Sequence, residues 1–250
     1  MSGHSKWSTI KHKKAAADTK RGKLFTQLTK ELTIAAREGG GDPEFNARLR
    51  LAVDKAKEAN MPKDNIDRAI KRGTGELEGQ ELHEVVYEGY APHGVGVLIE
   101  VVTDNRNRAV AELRHALSRN GGSMAEAGSV AWQFERKGYL TLKEAVADED
   151  ELFLVAADAG AEDVSFDDGE VEIYTELEAF TSVRDTLTEM GYDLDEAKVI
   201  YAPKNPVTLD KAQAVQVLKV LDQLEELDDV QNVYPAMEIT DELIAAMEAG

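Results

Sequence analysis

Apolar positions in the first third of the chain recur at spacings of three and four. From Ala15 to Arg37 they fall at Leu24, Phe25, Leu28, Leu32 and Ala35, one stripe along a helix. Gly39-Gly40-Gly41 removes helix propensity and ends the segment. Asp42-Pro43-Glu44 reads as a fresh start, with Asp42 as N-cap, Pro43 in the first turn and Glu44 at the positive end of the dipole. Phe45, Leu49, Ala52, Val53 and Ala56 supply the stripe of this second helix. Asn60-Met61-Pro62 breaks it and opens a third, with Ile66, Ala69 and Ile70, which stops at Gly73.

A glycine- and glutamate-rich linker from Gly73 to Gln80 follows, and the period then changes. His83 to Tyr90 alternates as a strand does, Pro92-His93-Gly94 is a turn, and Val95 to Thr103 is a buried-strand run. Asn105 to Asn120 is predicted helical with Val110, Leu113 and Leu117 inward, ended by Gly121-Gly122; Val130, Trp132 and Phe134 alternate again. Next come a strand (Tyr139–Leu142), a helix (Asp148–Ala159), two strands (Asp163–Phe166, Glu170–Thr175) joined by an Asp168-Gly169 turn, a helix (Glu178–Met190) and a strand (Leu194–Ile200). This βαββαβ order is the ferredoxin-like unit. A helix (Leu209–Leu227), a strand (Val230–Tyr234) and a short amphipathic tail remain.

A leftover helix–strand pair cannot bury its apolar face alone, and the block from His83 to Glu135 lacks a second covering helix. The economical solution docks the two together. The expected fold is α+β: an N-terminal three-helix domain (1–75), followed by two α/β ferredoxin-like domains, the second (137–204) inserted into the first (81–136 plus 205–240).

The 250 residues contain no cysteine, which excludes disulfides, thiol nucleophiles and thiolate metal sites and fits a reducing cytoplasm. No apolar run approaches the ~20 residues needed to span a bilayer, and the basic start lacks the hydrophobic stretch of a secretory signal. A cytoplasmic location without membrane contact is expected. The net charge of -19 conceals an asymmetry: Met1 to Arg72 carries 17 Lys+Arg against 9 Asp+Glu, and the remainder 12 against 39. Polyanion contact needs local positive potential, and charges beyond a Debye length of ~8 Å are screened.

The cations are densest at the N-terminus: Lys6, Lys11, Lys13, Lys14, Lys20, Arg21 and Lys23, with His12 and Trp7 among them. Such an arm suits phosphate binding, in which each neutralised phosphate releases counterions, and Trp7 offers a ring on which a base could stack. The competing reading is a solvated arm with Trp7 packed on the first helix. Arg106 and Arg108 fall in Thr103-Asp104-Asn105-Arg106-Asn107-Arg108, where a strand runs into a helix and cations oppose the dipole. Two explanations stand: an anion held by guanidinium forks and free N–H groups, or pairing with body carboxylates and Asp104 as a plain N-cap.

Other motifs read as structure. Gly94-Val95-Gly96 precedes a strand and is a turn, Asp148-Glu149-Asp150-Glu151 complements a helix dipole, and Val215, Leu218, Leu221 and Leu224 are core positions. The histidines His4, His12, His83, His93 and His115 show no metal-ligand spacing, and no nucleophile elbow or P-loop occurs. No enzyme activity, cofactor, metal or small-molecule substrate is expected.

Several motifs resemble the YebC family: Gly3-His4-Ser5-Lys6-Trp7, Lys11-His12-Lys13-Lys14-Ala15-Ala16, Lys20-Arg21-Gly22-Lys23, Ala36-Arg37-Glu38-Gly39-Gly40-Gly41-Asp42-Pro43, Asn60-Met61-Pro62-Lys63-Asp64 and Thr103-Asp104-Asn105-Arg106-Asn107-Arg108. Tyr87-Glu88-Gly89-Tyr90 and Phe134-Glu135-Arg136-Lys137-Gly138 match as well, so the likeness covers essentially the whole chain. Ser2 and Ser8 stand where alanine is common, and Pro92-His93-Gly94-Val95 replaces a more glycine-rich turn. The resemblance implies three domains and a role in gene expression. Bacterial members are described as DNA-binding transcriptional regulators, and others, including the mitochondrial translational activator of cytochrome oxidase, act in translation. The implied partner is DNA, or ribosomal RNA and tRNA on the ribosome, where such factors ease synthesis of proline runs. A protein-interaction scaffold acting through the acidic α/β domains is the alternative. A monomer is expected, since no apolar face is left unclaimed.

Overall fold

A computed structural model describes residues 18–167, 169–240 and 243. Three helices come first: α1 (Asp18–Gly39), α2 (Ala47–Glu58) and α3 (Lys63–Gly73). Leu28, Leu32, Ala35 and Ala36 of α1 close on Leu49, Ala52, Val53 and Ala56 of α2 and on Ile66 and Ala69 of α3. The junction of α1 and α3 is tight. A Cβ added at Gly73 would lie 2.3 Å from the Thr33 carbonyl oxygen, so this glycine permits close packing as well as ending its helix.

The second helix starts later than its sequence suggests. Asn46, not Asp42, is the N-cap: its Oδ1 accepts the Leu49 N–H at 3.0 Å, while its Nδ2 donates to the carbonyls of Ala35 and Gly40. Asp42 instead accepts the Glu44 N–H at 2.9 Å in a local turn. Phe45 therefore precedes the helix and is 86% exposed instead of joining the stripe.

Two four-stranded antiparallel sheets follow. The first has the order β3-β1-β2-β8, from β1 (His83–Tyr90), β2 (Gly96–Thr103), β3 (Ser123–Met124) and β8 (Val230–Pro235). The second has the order β5-β6-β4-β7, from β4 (Phe134–Leu142), β5 (Ala161–Asp167), β6 (Glu170–Thr175) and β7 (Leu194–Pro203). Its βαββαβ path includes α5 (Glu149–Ala159) and α6 (Leu177–Glu189), the ferredoxin-like arrangement. Between β2 and β3 lies α4 (Arg106–Arg119), and α7 (Lys211–Glu225) precedes β8.

These elements stack in four layers. Val97, Ile99 and Val101 of β2 face α4 and α7, joining Ala109, Leu113, Leu117, Leu218, Leu221 and Leu224. Leu98 points the other way and meets Tyr139, Tyr174 and Ile200 of the second sheet together with Tyr234 of β8. Burial on both faces explains why β2 is an almost continuous apolar run. Leu140 and Ile173 then face Leu152 and Ala156 of α5 and Val183 and Leu187 of α6.

Three further expectations need correction. Ala109, with Leu113 and Leu117, forms the buried stripe of α4, while Val110 is only half-buried. The segment around Trp132 is a 3-10 turn, Ala131–Gln133, not a strand, and leaves Trp132 67% exposed. The strand predicted from Tyr139 begins at Phe134, because β7 runs on to Pro203 and pairs with it over the polar stretch Glu135-Arg136-Lys137. The residues at either side of the β5–β6 turn pair as Asp167↔Glu170, and Gly169 has φ 83°.

The helical unit is fastened to the sheets by charge. Arg48 of α2 bonds to Glu31 and Glu38 of α1 and reaches Glu84 of β1 at 3.3 Å. Lys55 of α2 lies 2.7 Å from Glu196 of β7, and Lys143 lies 3.1 Å from Glu58.

Candidate nucleic-acid interface

Lys6, Trp7, Lys11, His12, Lys13 and Lys14 lie outside the described residues. Lys20 and Arg21 fall in the first turn of α1. Lys23, one turn on, is half-buried and has a partner of its own.

From Gln27 onward, α1 turns one face to the first sheet. Gln27 Nε2 donates to the Val230 carbonyl at 2.8 Å, Lys30 Nζ to that of Asp228 at 2.8 Å, and Arg37 Nη1 to that of Leu82 at 2.6 Å. The positions 27, 30, 34 and 37 share a helix face, and Ile34 among them is fully buried. Lys30 also lies 2.6 Å from Asp229 Oδ1. Thus Lys30, Arg48 and Lys55, part of the N-terminal excess of positive charge, are engaged with the acidic body.

Asp229 is a hub. Its Oδ2 accepts from Thr103 Oγ1 at 2.8 Å and from Arg108 Nη2 at 2.7 Å, while its backbone carbonyl accepts the Val102 N–H. Burial alone would raise the pKa of this carboxylate. Bonds from Lys30, Arg108 and Thr103 outweigh that and hold it below the usual range. Arg108 also lies 2.8 Å from Asp104. Of the two explanations for Thr103-Asp104-Asn105-Arg106-Asn107-Arg108, carboxylate pairing is what Arg108 does. The N-cap, however, is Asn105, whose side chain accepts the Arg108 N–H at 3.1 Å; Asp104 is the arginine's partner. Arg106 is exposed and makes no ion pair among the described residues.

The hub brings together two sites that are distant in sequence. Lys30 and Arg108 share one carboxylate, and Lys23 lies about two turns, ~10 Å, up α1 from Lys30. The start of α4 therefore abuts the helix into which the basic arm runs.

Residues 5–76 match the TACO1/YebC protein N-terminal domain, and residues 82–237 match the TACO1/YebC second and third domain. The chain belongs to the TACO1/YebC family. It is 54% identical over 248 residues to a protein of Dictyoglomus turgidum named "probable transcriptional regulatory protein", covering 99% of this chain and all of that one. A protein of the same name from Petrotoga mobilis is 57% identical over 250 residues, covering 100% of this chain and 99% of the relative. The crystal structure of a conserved hypothetical protein from Aquifex aeolicus superposes with a TM-score of 0.80 at 46% identity, covering 90% of this chain and 93% of that one. The Lys30–Asp229 pair joins the two TACO1/YebC regions.

One arrangement in this chain has no signal along the sequence. Glu88 of β1 accepts the backbone N–H groups of Gly128, Val130 and Ala131 at 2.6, 2.6 and 2.9 Å. Burial opposes ionisation of this carboxylate, but the three donors outweigh it and lower its pKa. The Ser129 carbonyl between them accepts from Tyr90 Oη and from Trp132 Nε1. The loop thus presents the exposed Trp132 ring from a fixed base. No helix among the described residues is long and apolar enough to cross a membrane.

Proposed function

We propose that this chain is a non-enzymatic, nucleic-acid-binding regulator of gene expression whose main contact is its basic N-terminal arm: Lys6, Trp7, Lys11, His12, Lys13 and Lys14, continued by Lys20, Arg21 and Lys23. The arm and helical unit (1–75) work as a grip on an α/β body (81–136 plus 205–240, with 137–204 inserted). The observation that carries this reading is the Asp229 hub. It ties α1 to the body, so phosphates held by the arm act on a fixed base rather than on a loose helix.

RNA of the translating ribosome is the favoured target. No helix among the described residues reads as a recognition helix of a helix-turn-helix, and α3 exposes Asp64 and Asp67 beside its basic residues, where carboxylates are poorly suited to a phosphate-lined groove. A Lys-rich arm with an aromatic suits irregular RNA with accessible bases. Promoter DNA is the second reading, favoured by the printed names of the relatives.

The test is retention on purified ribosomes in moderate salt with excess duplex DNA as competitor. A Lys11→Glu/Lys13→Glu/Lys14→Glu variant runs alongside. Retention of the parent chain and loss of the variant support the ribosomal reading. Displacement by DNA supports the promoter reading, and equal retention of both chains overturns the arm as the main contact.

A further inference from the structure

Beyond residue 72 the chain has only twelve Lys and Arg. Six of them sit on two helices: Arg106, Arg108, Arg114 and Arg119 on α4, and Lys211 and Lys219 on α7. These helices carry three acids between them, Glu112, Asp222 and Glu225, the last buried. They lie side by side over one face of the first sheet, joined by an Asn120–Gln223 bond of 2.7 Å. The opposite outer layer, α5 and α6, has one cation, Arg184, against seven acids. The acidic body therefore has one positively charged outer face.

Apart from Arg108, which is paired with Asp104 and Asp229, that face is also unneutralised. Of the six cations elsewhere in the body, Lys137, Lys143, Arg184 and Lys198 are in ion pairs, and Arg136 and Lys204 are exposed without one among the described residues. On this face, Arg106, Arg114, Arg119, Lys211 and Lys219 are exposed and make none among the described residues. In a chain with so many carboxylates, guanidinium groups left without partners concentrate positive potential where a polyanion can reach it. The surface between them is polar or small: Asn107, Ala111, Ser118, Ala212, Gln216 and Gln223. No exposed large apolar side chain among the described residues lies on either helix. A protein partner needs buried apolar or aromatic anchors, whereas a phosphate backbone needs cationic forks and hydrogen-bond donors.

We propose that the α4–α7 layer is a second nucleic-acid surface, gripping the phosphate backbone without reading sequence. It rests on the nucleic-acid reading above and adds a contact independent of the arm. Its near end adjoins α1 through the Asp229 hub, so one nucleic acid can run from the arm's base onto α4.

The test uses the full chain and labelled duplexes of about 24 base pairs, RNA and DNA separately, titrated by fluorescence anisotropy across a salt series. Three variants are compared: Arg114→Gln/Arg119→Gln/Lys219→Gln neutralises the face, Lys11→Gln/Lys13→Gln/Lys14→Gln neutralises the arm, and Thr181→Glu/Ser182→Glu/Thr188→Glu adds three acids to α6. The α6 chain matches the face variant in net charge, and thermal unfolding checks that each chain folds. The face variant is expected to bind about tenfold more weakly at about 100 mM salt, with a salt slope shallower by about two to three units, while the α6 control is unchanged. A face variant that binds as the parent does, or a control that weakens equally, overturns the proposal. Loss confined to the arm variant overturns it and leaves the arm reading standing. Loss confined to the face variant supports it and removes the arm as the main contact. An effect with RNA alone or DNA alone identifies the source of the phosphates, and absence of binding to either duplex overturns the proposal while leaving the ribosomal reading of the arm to the ribosome-retention test.

Discussion

Lys30 and Arg108 hold one carboxylate by its two oxygens: Lys30 reaches Asp229 Oδ1 at 2.6 Å and Arg108 reaches Oδ2 at 2.7 Å. The lysine side chain is 12% exposed and the carboxylate 5%, so solvent replaces little if the pair is broken. Removing the acid leaves a nearly buried ammonium that keeps the Asp228 carbonyl but loses its counter-charge, and leaves the Thr103 hydroxyl without its acceptor. Asp229→Ala should therefore cost about 2–4 kcal/mol, the range for an orphaned, mostly buried charge. Arg108→Ala should cost less, because that side chain is half exposed. Urea unfolding of the three chains gives the comparison, and equal midpoints for Asp229→Ala and the parent would remove the hub from the account.

The pH dependence has two opposing parts. Burial raises the pKa of Glu196, but the Lys198 and Lys55 charges outweigh it and leave that pKa lowered, like that of Asp229. A lowered folded pKa contributes stability that is present above the unfolded value, about 4, and is lost as pH falls through the folded one. Glu100 behaves oppositely. Burial raises its pKa, and bonds from Tyr234 and Asn232 do not compensate. The folded state then holds this proton more tightly, and a penalty grows as pH rises from about 4.3 through the folded value. Glu100→Gln should thus gain stability relative to the parent as the pH rises from pH 4 to pH 8. Urea midpoints at both values test it, and a difference independent of pH would refute the assignment.

Glu88 organises the loop that presents Trp132, using three backbone donors that nothing else in the loop accepts. Glu88→Ala leaves those donors to water and should cost about 1–3 kcal/mol. In a Trp7→Phe background only Trp132 emits. Its time-resolved anisotropy should show faster local motion in Glu88→Ala than in the parent, with little change for Glu88→Gln, which keeps an acceptor. Identical decays in all chains would mean that the loop holds its shape without the carboxylate.

Most of the architecture is legible along the chain because burial imposes its period. The stripe of α3 and, apart from the exposed Leu24, that of α1, the apolar run of β2, the βαββαβ order and the turn at Gly169 follow from spacing and turn chemistry, while Asp168 lies outside the described residues. What is hidden depends on partners distant in sequence. Glu135-Arg136-Lys137 lies ahead of the strand expected from Tyr139, yet it is strand because β7 offers a pairing edge as far as Pro203. Arg108 looks like an anion ligand until Asp229, 121 residues later, is seen beside it. The six cations of α4 and α7 vanish in a running charge count, since their neighbours along the chain are acidic strands and loops. The density of arginine in Arg106–Arg119 was the available signal, and only the fold shows that α7 extends the same face.

The start of α2 separates local from tertiary causes by direct substitution. Asp42-Pro43-Glu44 has the residues of a helix start, but Asn46 caps the helix, because its amide can also donate to Ala35 and Gly40 at the end of α1. One buried side chain thereby closes the turn between two helices, whereas Asp42 serves a single exposed N–H. Asn46→Ala should cost about 2–3 kcal/mol, one cap and two acceptors (the Ala35 one buried, the Gly40 one part-buried) left unmade, and Asp42→Ala less than about 1 kcal/mol. Asn46→Asp keeps the cap but puts a carboxylate against two carbonyls, so it should destabilise nearly as much as Asn46→Ala. If Asn46→Asp is as stable as the parent, capping alone explains the residue and the link to α1 contributes nothing.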